Sequence, residues 1–152
     1  MTFTVDWFTG YIPAWEATFK KTKVPENILE IGSFEGRSTC WLLENTNARI
    51  TCVDTWEGSD EHTPELKDGL LERFRENIEP YKDRVTLCRG FSGEVLRKFE
   101  CVPTFDFIYI DGSITQRMFL KMPFLHGVLP SPEVSSSSTT STGPSKALIF
   151  GT

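Results

Sequence analysis

Residues 27–39, Asn-Ile-Leu-Glu-Ile-Gly-Ser-Phe-Glu-Gly-Arg-Ser-Thr, constrain the chain more than any other stretch. Ile28, Leu29 and Ile31 form a short apolar run, the pattern of a strand covered on both faces. Gly32 and Gly36 bracket a turn where the backbone can take positive φ and lie close to a ligand. Ser38 and Thr39 lead into Cys40-Trp41-Leu42-Leu43, an apolar helical opening. A helix that begins just past a strand's carboxyl end presents free N–H groups at the crevice where open α/β sheets bind ligands. The plainer alternative is an ordinary tight turn between strand and helix.

Three more strands are legible, giving strands over 27–32, 48–54, 84–89 and 105–111. The second ends in Asp54, followed by Thr55 and Trp56. An acid at the end of a second strand accepts hydrogen bonds from ribose hydroxyls in strand-turn-helix nucleotide folds; the alternative is a cap or a solvated turn. The third strand turns through Phe91 and Ser92 into a short helix. The fourth, Phe105 to Ile110, ends in Asp111-Gly112 at a carboxyl end, where active sites lie in this architecture.

Between these strands lie helical patterns. Phe8, Ile12, Trp15 and Phe19 have helical spacing, and Pro13 suits a first-turn position, so a helix begins near there. Its aromatics either pack across the sheet or form a lid over a ligand. Leu66, Leu70, Leu71, Phe74 and Ile78 make an amphipathic stripe ended by Pro80. His62 stands in a polar loop and reads as solvated.

With 152 residues the chain is one domain with a single core. A net charge of -5 disfavours nucleic acid as a partner. No apolar run approaches a membrane span and the start is no signal peptide, from which a cytoplasmic location follows. Cys40, Cys52, Cys88 and Cys101 lie far apart, so free thiols are expected rather than zinc ligands or disulfides.

The spacing Glu30-x-Gly32-x-x-x-Gly36 resembles motif I of the class I S-adenosylmethionine-dependent methyltransferases. F-D-F-I-Y-I-D-G-S at 105–113 is similar to the fourth strand of a branch in which I-D-G-S-H precedes a helix, P-G-G and a fifth strand ending F-D-D. The N-terminal W-F-x-x-Y-I-P-x-W fits the same branch. The resemblance implies an α/β fold, a Rossmann-like parallel sheet with helices on both faces. It implies methyl transfer from S-adenosylmethionine to a small-molecule acceptor, with oxygen as the expected nucleophile. Glu30, Gly32, Ser33 and Gly36 would cradle the methionine part of the cofactor. Asp54 would hold the ribose, with Thr55 and Trp56 beside it, and Phe91 and Ser92 would approach the adenine. Asp111 would face the transferred methyl as a base, or as one ligand of a divalent cation in the intact parent. The rivals are a nicotinamide-dependent oxidoreductase, whose G-x-G-x-x-G is absent, and a truncated non-catalytic fragment.

The pattern breaks after Ser113, where the expected histidine is Ile114. Residues 135–144 are a Ser/Thr-rich run that reads as a tail. One lost nucleotide near Ser113 accounts for this, because the shifted codons permit D-G-S-H, then P-G-G-V-I-I-F-D-D. The division expected is therefore a methyltransferase core over 1–113 and an aberrant, out-of-frame or disordered tail over 114–152. The last strands of the family fold would be missing. The fourth strand would then expose an edge that invites self-association.

Overall fold

The computed structural model describes residues 1–60, 62–99 and 105–112, and the backbone of 147–150. Four parallel strands form the centre: β1 (Asn27–Ile31), β2 (Arg49–Asp54), β3 (Val85–Arg89) and β4 (Phe107–Ile110). With β5 (Ala147–Phe150) the sheet order is β3-β2-β1-β4-β5. Helices α1 (Ile12–Phe19), α2 (Arg37–Asn45), α3 (Pro64–Lys67), α4 (Leu70–Ile78) and α5 (Ser92–Val95) connect and cover it. This is the expected α/β architecture without the later strands of the full family fold.

The strands are apolar because both faces are covered. Ile28, Ile50, Cys52, Phe107 and Tyr109 point into one core with Trp15, Trp41, Phe74 and Ile78. Leu29, Ile31, Val53, Ile108 and Ile110 point into the other, with Leu96 and Phe105. Alternation with period two therefore divides each strand between two layers of helices.

Two expectations are corrected here. The edge of β4 is not open: Ala147–Phe150 pairs with it antiparallel, Phe107 opposite Phe150 and Ile110 opposite Ala147. The tail thus lends backbone to the sheet, and the exposed β4 edge that motivated self-association is covered. The stripe from Leu66 is also not one helix. Asp68 is extended and Gly69 sits at φ 63°, so the chain breaks between α3 and α4. Arg73 holds that break, its guanidinium reaching the carbonyls of Leu66 (2.5 Å) and Asp68. Periodicity alone carries the stripe across a glycine that the backbone uses as a corner.

Pro13 does open α1. Phe8 and Trp15 are buried, with Ile12 and Phe19 packed against them, so these aromatics belong to the core. Cys40 and Cys52 are buried free thiols and Cys88 is a half-buried one. Burial pushes Cys40 up to about 12. Cys101 and residues 113–146 lie outside the described residues, and with them the Ser/Thr-rich run. Among the described residues no helix is long and apolar enough to cross a membrane.

Candidate active site at the carboxyl edge of the sheet

Strand register brings the candidate residues together. Ile31 pairs with Val53 on one side and Ile110 on the other. The next residues, Gly32, Asp54 and Asp111, therefore stand in one row across the sheet. The two acids flank the glycine, two strand spacings apart, roughly 10 Å. Backbone bonds extend the row: Gly32 N–H donates to Val53 O (2.9 Å), Asp111 N–H to Ile31 O (2.8 Å), and Gly90 N–H to Asp54 O (2.8 Å).

Gly32 is glycine for two reasons. Its φ is 84°, and a Cβ there would lie 2.8 Å from Gly112 N and 2.9 Å from the Asp111 carbonyl carbon. Backbone from β4 occupies that space. Gly36, at φ 82°, answers to a different neighbour, since its Cβ would meet the Phe74 ring at 3.0 Å. That glycine serves the packing of α4 and the entry to α2.

Glu30 points inward, away from the crevice. It is fully buried, and its carboxylate accepts hydrogen bonds from Ser33 Oγ (3.0 Å), Ser38 Oγ (2.5 Å), Thr39 Oγ1 and Cys52 Sγ (3.6 Å). Desolvation raises its pKa above the ordinary carboxyl value, while the Ser38, Thr39 and Ser33 hydroxyls pull the other way. Its chemistry in the structure is to fasten the turn and the first turn of α2 onto β1. Any influence of Glu30 on a ligand runs through Ser33 and the helix start.

Asp54 is half-buried and holds the turn from the other side. Oδ2 accepts the N–H groups of Ser33 (2.7 Å) and Phe34 (2.9 Å), and Oδ1 accepts that of Trp56 (2.8 Å). A carboxylate oxygen has two lone pairs, so Oδ1 keeps capacity for a ligand hydroxyl. Thr55 lies beside it, half-buried. The Trp56 side chain packs into the core against Phe74 (5.0 Å), and its Nε1–H donates to Phe34 O (3.1 Å). At the crevice it can offer only backbone. Phe91 follows the end of β3 at 65% exposure, a free ring face for a planar ligand, and Ser92 is half-buried next to it. On the ribose and adenine sides the residues therefore fit S-adenosylmethionine: an acceptor with spare capacity and an exposed aromatic. On the methionine side the fit rests on the turn's backbone, since Glu30 does not reach the crevice.

Asp111 accepts the Tyr109 hydroxyl at Oδ2 (2.8 Å). Tyr109 is buried against Trp15, ring centroids 4.6 Å apart, and burial followed by the Asp111 charge pushes its phenol well above the ordinary value. It stays protonated and donates to the acid. Among the described residues no group of three or more His, Cys, Asp or Glu side chains is placed to hold a metal ion.

Sequence reasoning passed over Glu35, Arg73 and Asn77. Glu35 is buried inside the motif turn and accepts Thr4 N–H (2.7 Å), Thr4 Oγ1–H (2.6 Å) and Arg73 Nε–H (2.7 Å). Asn77 joins Thr2 to the Glu35 carbonyl. The one available signal was a charged residue locked between a glycine turn and a helix. Its partners lie 31 and 38 positions away. His62, expected to be solvated, is half-buried: Nδ1 accepts Ser59 N–H (3.1 Å) and its ring stacks on Trp7 (5.3 Å).

A family model described as a methyltransferase domain matches residues 29–130. The match covers the whole row and runs on past Ser113. Comparison with curated proteins finds no match. Among solved structures, an O-methyltransferase from Bacillus cereus in complex with SAH is 26% identical at a TM-score of 0.52, covering 72% of this chain and 47% of that one. A provisionally assigned O-methyltransferase from Klebsiella pneumoniae is 18% identical at 0.51, covering 78% and 70%. A provisionally assigned caffeoyl-CoA O-methyltransferase from Staphylococcus aureus is 12% identical at 0.50, covering 70% and 59%. The last two likenesses are of fold. The chain spans about half the length of the Bacillus protein.

Proposed function

This chain belongs to the methyltransferase-domain family, and from that premise we propose that it binds S-adenosylmethionine along the row Asp54-Gly32-Asp111. The observation that carries the reading is that row, with two acids flanking a close-packed glycine at the carboxyl edge of a parallel sheet. The cofactor supplies an electrophilic methyl group on a sulfonium. Asp54 Oδ1 takes a ribose hydroxyl, and Phe91 with Ser92 borders the adenine. Gly32, Ser33 and Gly36 shape the backbone around the methionine part, with Glu30 fixing Ser33 from below and Thr55 and Trp56 contributing at the end of β2.

Asp111 stands on the far side of Gly32, where it accepts a proton from, or orients, an acceptor oxygen. Positioning of that oxygen in line with the methyl supplies much of such a reaction's acceleration. The acceptor proposed is a small molecule with an oxygen nucleophile, as in the O-methyltransferases of similar fold. A divalent cation held partly by Asp111 belongs to an intact parent that supplies further acids after residue 112. Turnover by this chain is part of the proposal, because the chain spans half of its Bacillus relative.

The test is calorimetry with S-adenosylhomocysteine. Asp54→Ala should weaken binding by about 1.5–3 kcal/mol, the range for a hydrogen bond to a charged group. Unchanged affinity would remove Asp54 from the ribose site. For residues 114–152 the proposal remains a change of reading frame near Ser113. The family match that continues to residue 130 weighs against a junction that early. Sequencing the coding DNA decides it, since every third base is then fixed.

A further inference from the structure

The N-terminal residues are tied to one place, the β1–α2 turn. Thr4 gives both its N–H and its hydroxyl to Glu35, which is 1% exposed. Thr2 exchanges two hydrogen bonds with Asn77, 2.7 and 2.9 Å, and Asn77 also holds the Glu35 carbonyl at 3.0 Å. Arg37 donates to Thr9 Oγ1 (3.0 Å), faces Asp6 (3.8 Å) and lies over the Phe3 ring (5.3 Å). Trp7, half exposed, leans on Phe34 (5.2 Å) and stacks on His62 (5.3 Å). Each anchor on the turn, Phe34, Glu35 or Arg37, thus grips a different part of residues 2–9.

That turn needs outside support. Gly32, Phe34 and Gly36 have φ of 84°, 48° and 82°, and Phe34 has no glycine's freedom there. Such a conformation persists only where its surroundings over-determine it. Asp54 braces it from the sheet through the Ser33 and Phe34 N–H groups, and residues 2–9 brace it from outside.

We propose that residues 2–9 form a strap whose docking onto Glu35 is coupled to occupation of the cofactor site, Glu35 being the positioning residue that links them. The inference rests on the cofactor reading above. A ligand that requires the braced turn binds in proportion to the braced population, so its apparent affinity falls by that fraction when the strap is released. By reciprocity the bound ligand holds the strap down.

Glu35→Ala would orphan Arg73 and unsettle the fold, so the test is made on the strap. Thr4 is exposed apart from its two donors, and Thr4→Pro removes both. In the full chain this variant should bind S-adenosylhomocysteine at least tenfold more weakly and be cut faster by chymotrypsin after Phe3, Trp7 and Phe8. Thr4→Val, which keeps the N–H, should fall between. In the parent chain, S-adenosylhomocysteine should slow the same cuts. Equal affinity in the parent and in Thr4→Pro, with faster cutting in the variant, would overturn the coupling. Equal cutting would overturn the latch. A parent that binds no S-adenosylhomocysteine would instead sink the cofactor reading, and the coupling with it.

Discussion

The β1–α2 turn and the end of β4 are neighbours built by different means. At the turn three carboxylates each gather several donors: Glu30 from two serines, a threonine and a thiol, Glu35 from Thr4 and Arg73, Asp54 from three backbone N–H groups. At the end of β4, Asp111 takes the hydroxyl of Tyr109, and the backbone leans on Ile31 and Gly32. The donors at the turn come from residues 2–73, all within the family-like part of the chain. What would complete the β4 side follows residue 112, where the chain departs from the family pattern. Cofactor binding and methyl transfer are therefore separable properties here, the first encoded ahead of the break and the second dependent on what lies beyond it.

Gly32→Ala attacks the junction of the two regions and should have the largest effect. A methyl group at φ 84° would press into Gly112 N and the Asp111 carbonyl carbon, both backbone. Left-handed strain and overpacking each cost about 1–3 kcal/mol, so a loss of about 2–4 kcal/mol in urea unfolding is expected. A loss below about 1 kcal/mol would mean that β4's end yields easily and that the junction is loose.

Glu30 tests the turn alone. Glu30→Ala leaves buried hydroxyls without their acceptor and should cost about 2–3 kcal/mol. Glu30→Gln keeps the shape and an acceptor, and its sign depends on pH. Burial raises the folded pKa of Glu30 above its model value of 4.5. The stability tied to its protonated form is thus complete below about pH 4.5 and is lost as pH rises through the folded value. Glutamine cannot ionise, so the variant should gain on the parent chain between pH 4.5 and 7. Parallel pH profiles for the two proteins would show that Glu30 is ionised at no cost.

These two regions also divide what the sequence could reveal. Strand ends and the glycine turn were legible because apolar runs of strand length stop at Gly32, Asp54 and Asp111, and register then lines the three up without further information. The destination of Glu30 was not legible. An acid two residues before a glycine turn reads as a ligand group, yet period two along β1 sends it to the same face as Ile28, under α2. Glu35 was hidden for another reason, since its partners are fixed only when the N-terminus folds back. Gly69 broke a stripe that hydrophobic spacing alone runs straight through. The closure of β4 by Ala147–Phe150 followed a segment with no family pattern, so nothing in the order of motifs pointed to it.

Tyr109→Phe probes the β4 side with the smallest change. The ring keeps its edge-on contact with Trp15 at 83° and its place in the core, so packing is preserved. What is lost is one hydrogen bond to Asp111, worth about 1 kcal/mol net. The pH dependence carries the sharper signal. Burial holds the folded phenol above its ordinary value of 10.0, with the Asp111 charge adding to the shift. The unfolded chain ionises near pH 10, while the folded chain resists. Stability from the neutral phenol is therefore complete below that pH and lost as pH climbs toward the folded value. Phenylalanine has no proton to lose, so the variant should be the less stable protein at pH 7 and should recover relative to the parent chain above pH 10. Thermal unfolding at both pH values checks the crossover. A constant difference would mean that the Tyr109 hydroxyl reaches solvent, and that the acid at the end of β4 is held less firmly than the three acids of the turn.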